Sequence, residues 1–188
     1  MDAVLHQSIL AARAPVCPAE DDVGEVGRRL EGKLKRLLAA TPVPAKNLER
    51  RRIAHTRTLQ VRSDFDEESN VHFIHGVNVL RLARKPCEFP PLLLPIDLVS
   101  LLCCSGDRPA DEAPDSEVRA AADHLRRQTL SYLAEQQHRV APNALLGPGW
   151  RTEVEMEVLN FCDIDSGVVT LLTHVVIEIG RVEALKTG

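Results

Sequence analysis

The chain has 188 residues, 44% apolar and only 3% aromatic, with a net charge of −4 at neutral pH. Such a composition sustains a core of Leu, Val, Ile and Ala, and it excludes wholesale disorder and base-stacking recognition of single strands. The mild net charge hides a dipole: from Arg28 to Arg62 eleven basic residues stand against two acids, formally +9, which leaves −13 for the remainder.

Ala3–Ala14 reads as a short helix closed by Pro15 and Pro18, and Asp2 with no basic residue before the apolar run gives no secretory signal. From Asp21 to Ala40 the apolar residues Val23, Val26, Leu30, Leu34, Leu37 and Leu38 recur every three or four positions, the stripe of an amphipathic helix. Acids in its first turn and Lys33, Lys35 and Arg36 in its last complement the helix dipole, and Thr41, Pro42 and Pro44 end it. An arginine cluster follows in a proline-flanked connector. Then the period changes to two around Leu59–Arg62 and again over Val71–Val79, which predicts two strands joined by the acidic turn Asp64–Asn70, with Gly76 marking a bulge.

Leu92–Cys104 suggests a buried helix, too short and too interrupted by Pro95 and Asp97 to span a membrane. Ser105–Glu117 is acidic and proline-containing, a flexible loop. Helix propensity resumes with Ser116 as N-cap and runs to about Arg139 on a stripe that includes Val118, Ala121, Ala122, Leu125, Leu130 and Leu133. After the turn region Ala141–Gly149, alternation over Thr152–Leu159 and a β-branched run over Val168–Ile179, joined by Asp163, Asp165, Ser166 and Gly167, predict a C-terminal β-hairpin. The expectation is an α+β fold: N-terminal helices, then a ββααββ-like arrangement with an antiparallel sheet. Two units are expected, a helical segment 1–45 and an α+β domain 46–188 whose acidic loop spans 105–117. No internal repeat is visible.

No constellation carries recognisable chemistry. His72 and His75 have metal-ligand spacing, but a strand turns them to opposite faces. Cys103 and Cys104 are adjacent with no C-x-x-C pair, and the five cysteines lack a framework spacing, which suits reduced thiols in an intracellular chain, nuclear or cytoplasmic. Asp163 and Asp165 lack the glycine and glutamate that would complete a calcium loop. No catalytic residue, cofactor site or metal site is assigned, and the chain is read as not an enzyme.

What needs explaining is the charge. Arg28, Arg29, Lys33, Arg36, Arg50, Arg51, Arg52, Arg57 and Arg62 are the candidate partner-binding or nucleic-acid-binding residues, with Arg50, Arg51, Arg52 and Arg57 least offset by local acids. Glu153, Glu155 and Glu157 form the candidate acidic partner face, because alternation aligns all three carboxylates on one side of a strand. The first expectation is a non-catalytic subunit or adaptor of a hetero-oligomeric protein assembly, without membrane insertion. The alternative is an accessory protein contacting the phosphate backbone of DNA or RNA through Arg50–Arg62. A small enzyme with a site assembled from distant residues ranks third.

Overall fold

Apolar positions three and four apart make one buried stripe of the first helix, and its termination at Thr41–Pro44 sends the chain back across the sheet that this stripe covers. The computed structural model describes residues 23–92, 115–140, 149–163 and 165–181. Its elements in chain order are α1 (Val23–Ala39), α2 (Ala45–Arg50), β1 (Ile53–Asp66), β2 (Val71–Arg84), α3 (Ser116–Val140), β3 (Trp150–Asp163) and β4 (Val168–Arg181). The four strands form one antiparallel sheet in the order β1-β2-β4-β3. The α+β class and the antiparallel sheet are thus observed. The helices expected at Ala3–Ala14 and Leu92–Cys104, and most of the acidic loop, lie outside the described residues.

Both α1 and α3 contribute to one core with the sheet, in which Leu30, Leu34 and Leu38 of α1 and Leu125 and Leu133 of α3 meet Ile74, Leu82, Val175, Ile177 and Ile179. The helix of the segment 1–45 therefore shares its core with the sheet of 46–188. Gly76 is not a bulge, since the β1–β2 register runs without interruption from Ile53↔Arg84 to Asp66↔Val71. It is a seat for α1: a Cβ at Gly76 would lie 2.6 Å from Leu38 Cδ1 and 2.7 Å from Leu34 Cδ2. Three other details depart from expectation. The connector contains the six-residue α2, whose Leu48 is buried. Leu130 is 38% exposed, and the helical stripe runs instead through Thr129, which is buried. Asp115 rather than Ser116 caps α3, its Oδ1 accepting the Glu117 N–H at 2.9 Å.

A repeat invisible in sequence governs the sheet. Each strand has 14 residues, and each pairing of the first hairpin recurs 97 residues later, Ile53↔Arg84 becoming Trp150↔Arg181 and Asp66↔Val71 becoming Asp163↔Val168. The turns repeat too: Ser69 Oγ donates to Asp66 Oδ2 at 2.5 Å, and Ser166 Oγ to Asp163 Oδ2 at 2.6 Å. Positive φ recurs at equivalent positions, Arg52 with Gly149 and Asn70 with Gly167. In the central β2–β4 ladder Val77 pairs with His174, its own equivalent, so a pseudo-twofold axis passes between them. The described chain is two helix-then-hairpin (αββ) units side by side in one sheet, the first with the extra short helix α2. Only six of the 32 equivalent positions from 53–84 and 150–181 are identical, too few to read as a repeat.

Candidate interaction surfaces

The sheet divides the charged residues. On the helical side, the buried stripe of α1 turns Arg28, Arg29, Lys35 and Arg36 to solvent, with Lys33 half-buried at its margin. Arg29 is paired with Glu25 one turn away. Arg50, Arg51 and Arg52 form an exposed corner between α2 and β1, and their side chains have no partner among the described residues. Their backbone is held: the Arg51 carbonyl accepts from Arg84 Nη1 at 2.7 Å, and the Arg52 carbonyl accepts the Lys85 N–H at 2.9 Å.

The other two basic candidates are not part of that corner. Arg57 is half-buried, donating from Nε to Asn78 Oδ1 at 2.9 Å and from its terminal nitrogens to the carbonyls of Leu38 and Thr41. It serves the Thr41 carbonyl just past α1 and adds a second donor to the Leu38 carbonyl, which already accepts the Thr41 N–H, a structural use of the guanidinium. Arg62, opposite His75, is on the sheet face away from the helices and, ten residues of strand from Arg52, roughly 33 Å from it. Parity held the clue, because residues 57 and 62 of one strand must face opposite ways. The run of eleven basic residues is dispersed into an outward helix stripe, exposed Lys46 on α2, a corner, an internal clamp and one side chain on the far face.

That far face carries the row of three glutamates. Glu153, Glu155 and Glu157 are exposed on β3 and stand opposite Glu178, Val176 and His174 of β4. Like charges at Glu153 and Glu178 repel, and Arg151 lies between them, 3.5 Å from Glu153 and 3.8 Å from Glu178. At the other end of the same face Val77, Val79 and Leu172 are buried under Leu92 beside Phe161. Arg81 holds that crossing segment, donating to the Pro90 carbonyl and standing 5.4 Å over the Phe89 ring.

Between the two zones lie His75 and His174, unforeseen because 99 residues separate them. Their rings stack with centroids 5.9 Å apart and planes 8° from parallel. His72 lies on the opposite face, against Phe65. Burial pushes His75 below the ordinary imidazole value, with His174 and Arg62 adding to it and Asp64 opposing. Burial likewise lowers His174, Arg62 adding to it against the pull of Glu157 and Glu155. Imidazoles held neutral in the fold stabilise it fully above their unfolded value of about 6.5, and that stability is lost as pH falls below it. The melting temperature is therefore expected to drop between pH 7 and pH 5, and His75→Gln/His174→Gln to flatten the drop. An unchanged slope in the double variant contradicts this.

The helical layer has an open depression of about 380 Å³, lined by Pro42, His124, Arg127, Gln128, Tyr132 and Glu135 among others. No helix among the described residues is long and apolar enough to cross a membrane. Comparison with protein-family models, curated proteins and solved structures finds no match.

Proposed function

We infer that this chain is a non-catalytic subunit or adaptor of a multiprotein complex, meeting partners through two charged surfaces. The observation that supports this most is the separation of charge by the sheet: the basic stripe of α1 and the corner Arg50–Arg52 belong to the helical side, and Glu153, Glu155 and Glu157 to the opposite face. Opposite potentials on opposite sides let one domain bridge an acidic and a basic partner. The apolar segments Ala3–Ala14, read from the sequence as an N-terminal helix, and Leu92–Cys104, read as a helix of the ββααββ-like order, would add apolar surface to such contacts. Gentle affinity purification from the native source is expected to recover other chains with this one. Recovery of the monomer alone contradicts the reading.

Phosphate contact by the corner is the second reading, favoured by three exposed arginines that have no partner among the described residues. With Arg57 engaged inside and Arg62 on the far face, the corner offers three phosphate contacts, for which log K should fall against log salt with a slope of about −3. Binding to duplex DNA or RNA with that slope, abolished by Arg50→Glu/Arg51→Glu/Arg52→Glu, would favour it over an acidic protein partner.

A further inference from the structure

His75 and His174 occupy positions that the other half of the fold fills with buried apolar side chains. The equivalent of His174 is Val77 and that of His75 is Leu172, 9% and 2% exposed, so an apolar residue suits this packing and does not demand an imidazole. The cross-strand pair Gln60–Val77 of the first unit becomes Glu157–His174 in the second, which sets a titratable ring beside the acidic row on that side alone. The two rings stack at 5.9 Å, and His174 Nε2 is shut off from water with no hydrogen-bond partner among the described residues. We propose that this pair is a proton-operated release for the acidic face: Glu153, Glu155 and Glu157 hold a basic partner while both imidazoles are neutral, and let it go when one of them takes up a proton. The proposal deepens the assembly reading and rests on it.

Among the described residues the charged groups that face the pair are Arg62 and Asp64 of β1 and Glu155 and Glu157 of β3, with Glu178 and Arg151 farther along the face and engaged with each other. The pair takes one proton more readily than two, because a second would set like charges 5.9 Å apart. Arg62 opposite His75 repels a charge there, whereas Glu157 opposite His174 attracts one, which directs the proton to His174. Once there it offsets Glu157 and Glu155, the carboxylates that a basic partner would meet. Burial holds both rings below the ordinary imidazole value, so the face is fully acidic at neutral pH and loses charge as pH falls below about 6.5. A lysine-rich partner keeps its own charge throughout that range.

Proton and partner are then antagonists, and the antagonism is reciprocal. If one proton weakens binding about fivefold, the size of one good exposed ion pair, a bound partner must lower the midpoint for that proton by about 0.7 on the pH scale. Histidines that served packing alone would produce neither effect.

The test uses the full chain and a labelled peptide of ten lysines at constant ionic strength. Fluorescence anisotropy is expected to show binding at about pH 7.5 that weakens about fivefold by about pH 5.5, and that Glu153→Gln/Glu155→Gln/Glu157→Gln weakens about tenfold or more at the higher pH. His75→Gln/His174→Gln should remove the pH dependence, its affinities at the two pH values agreeing. His174→Lys carries the charge permanently and should bind about fivefold more weakly than the parent already at about pH 7.5, a test that needs no acid. Ring-proton NMR should show His174 titrating at lower pH when the peptide is bound. Equal affinity at both pH values, a loss on acidification that persists in the double glutamine variant, full-strength binding by His174→Lys, or a His174 midpoint that the peptide does not move would overturn the proposal. So would binding indifferent to the three glutamates. Failure of the proton response alongside partner capture that still depends on the glutamates sinks the release alone. A full proton response with no chain captured from the native source sinks the assembly reading alone.

Discussion

Gly76→Val is expected to destabilise the fold by about 3 kcal/mol or more, because the first atom it adds already collides with α1. The new Cβ would sit 2.9 Å from Leu34 Cγ, an atom near the root of a fully buried side chain, as well as meeting the tips of Leu34 and Leu38. Neither leucine can swing away without abandoning the core. For a domain of this size each kcal/mol lowers the melting temperature by about 2–4 °C, so a fall of roughly 6–12 °C is expected by calorimetry. Gly76→Ala should cost less, and pairing it with Leu34→Ala should recover part of the loss, since the two substitutions share one space. A melting temperature within a degree or two of the parent would mean that α1 does not rest on Gly76.

Arg57→Met should cost about 2–3 kcal/mol, although the side chain it replaces is only half-buried. The substitution leaves Asn78, which is 3% exposed, and the Leu38 and Thr41 carbonyls without their shared donor. Lysine should not rescue it, because one ammonium cannot reproduce a planar fork that serves three acceptors. Alanine at Arg50, Arg51 or Arg52 should change stability by no more than about 0.5 kcal/mol each. Denaturant titration of the four variants thus separates the arginine that the fold consumes from the three that it displays.

Whatever depends on periodicity is legible in the sequence alone. The stripe of α1 and the alternation of β3 both recur often enough to declare their period, and the acidic row follows from the second. Whatever depends on chain reversal is not. The basic stretch looks continuous because Arg50, Arg57 and Arg62 are close in sequence, yet a tight turn and a strand send them to a corner, an interior and the far face. His75 and His174 meet only because two central strands pair in one register. The αββ repeat is hidden because side chains have diverged while strand length, register and the Asp-x-x-Ser turn have not; its turns alone, Asp66–Ser69 and Asp163–Ser166, hint at it. A six-residue helix directly after Pro44 is too short to leave a periodic trace, so α2 has no signature of its own.

In the proposed role, the two charged surfaces on opposite sides of the sheet each serve a different contact. Quantitative affinity capture with Arg50→Glu/Arg51→Glu/Arg52→Glu and, separately, Glu153→Lys/Glu155→Lys/Glu157→Lys tests this most directly. Both variants are expected to fold and to lose different co-purifying components. Loss of the same components from both, or of none from either, would contradict it.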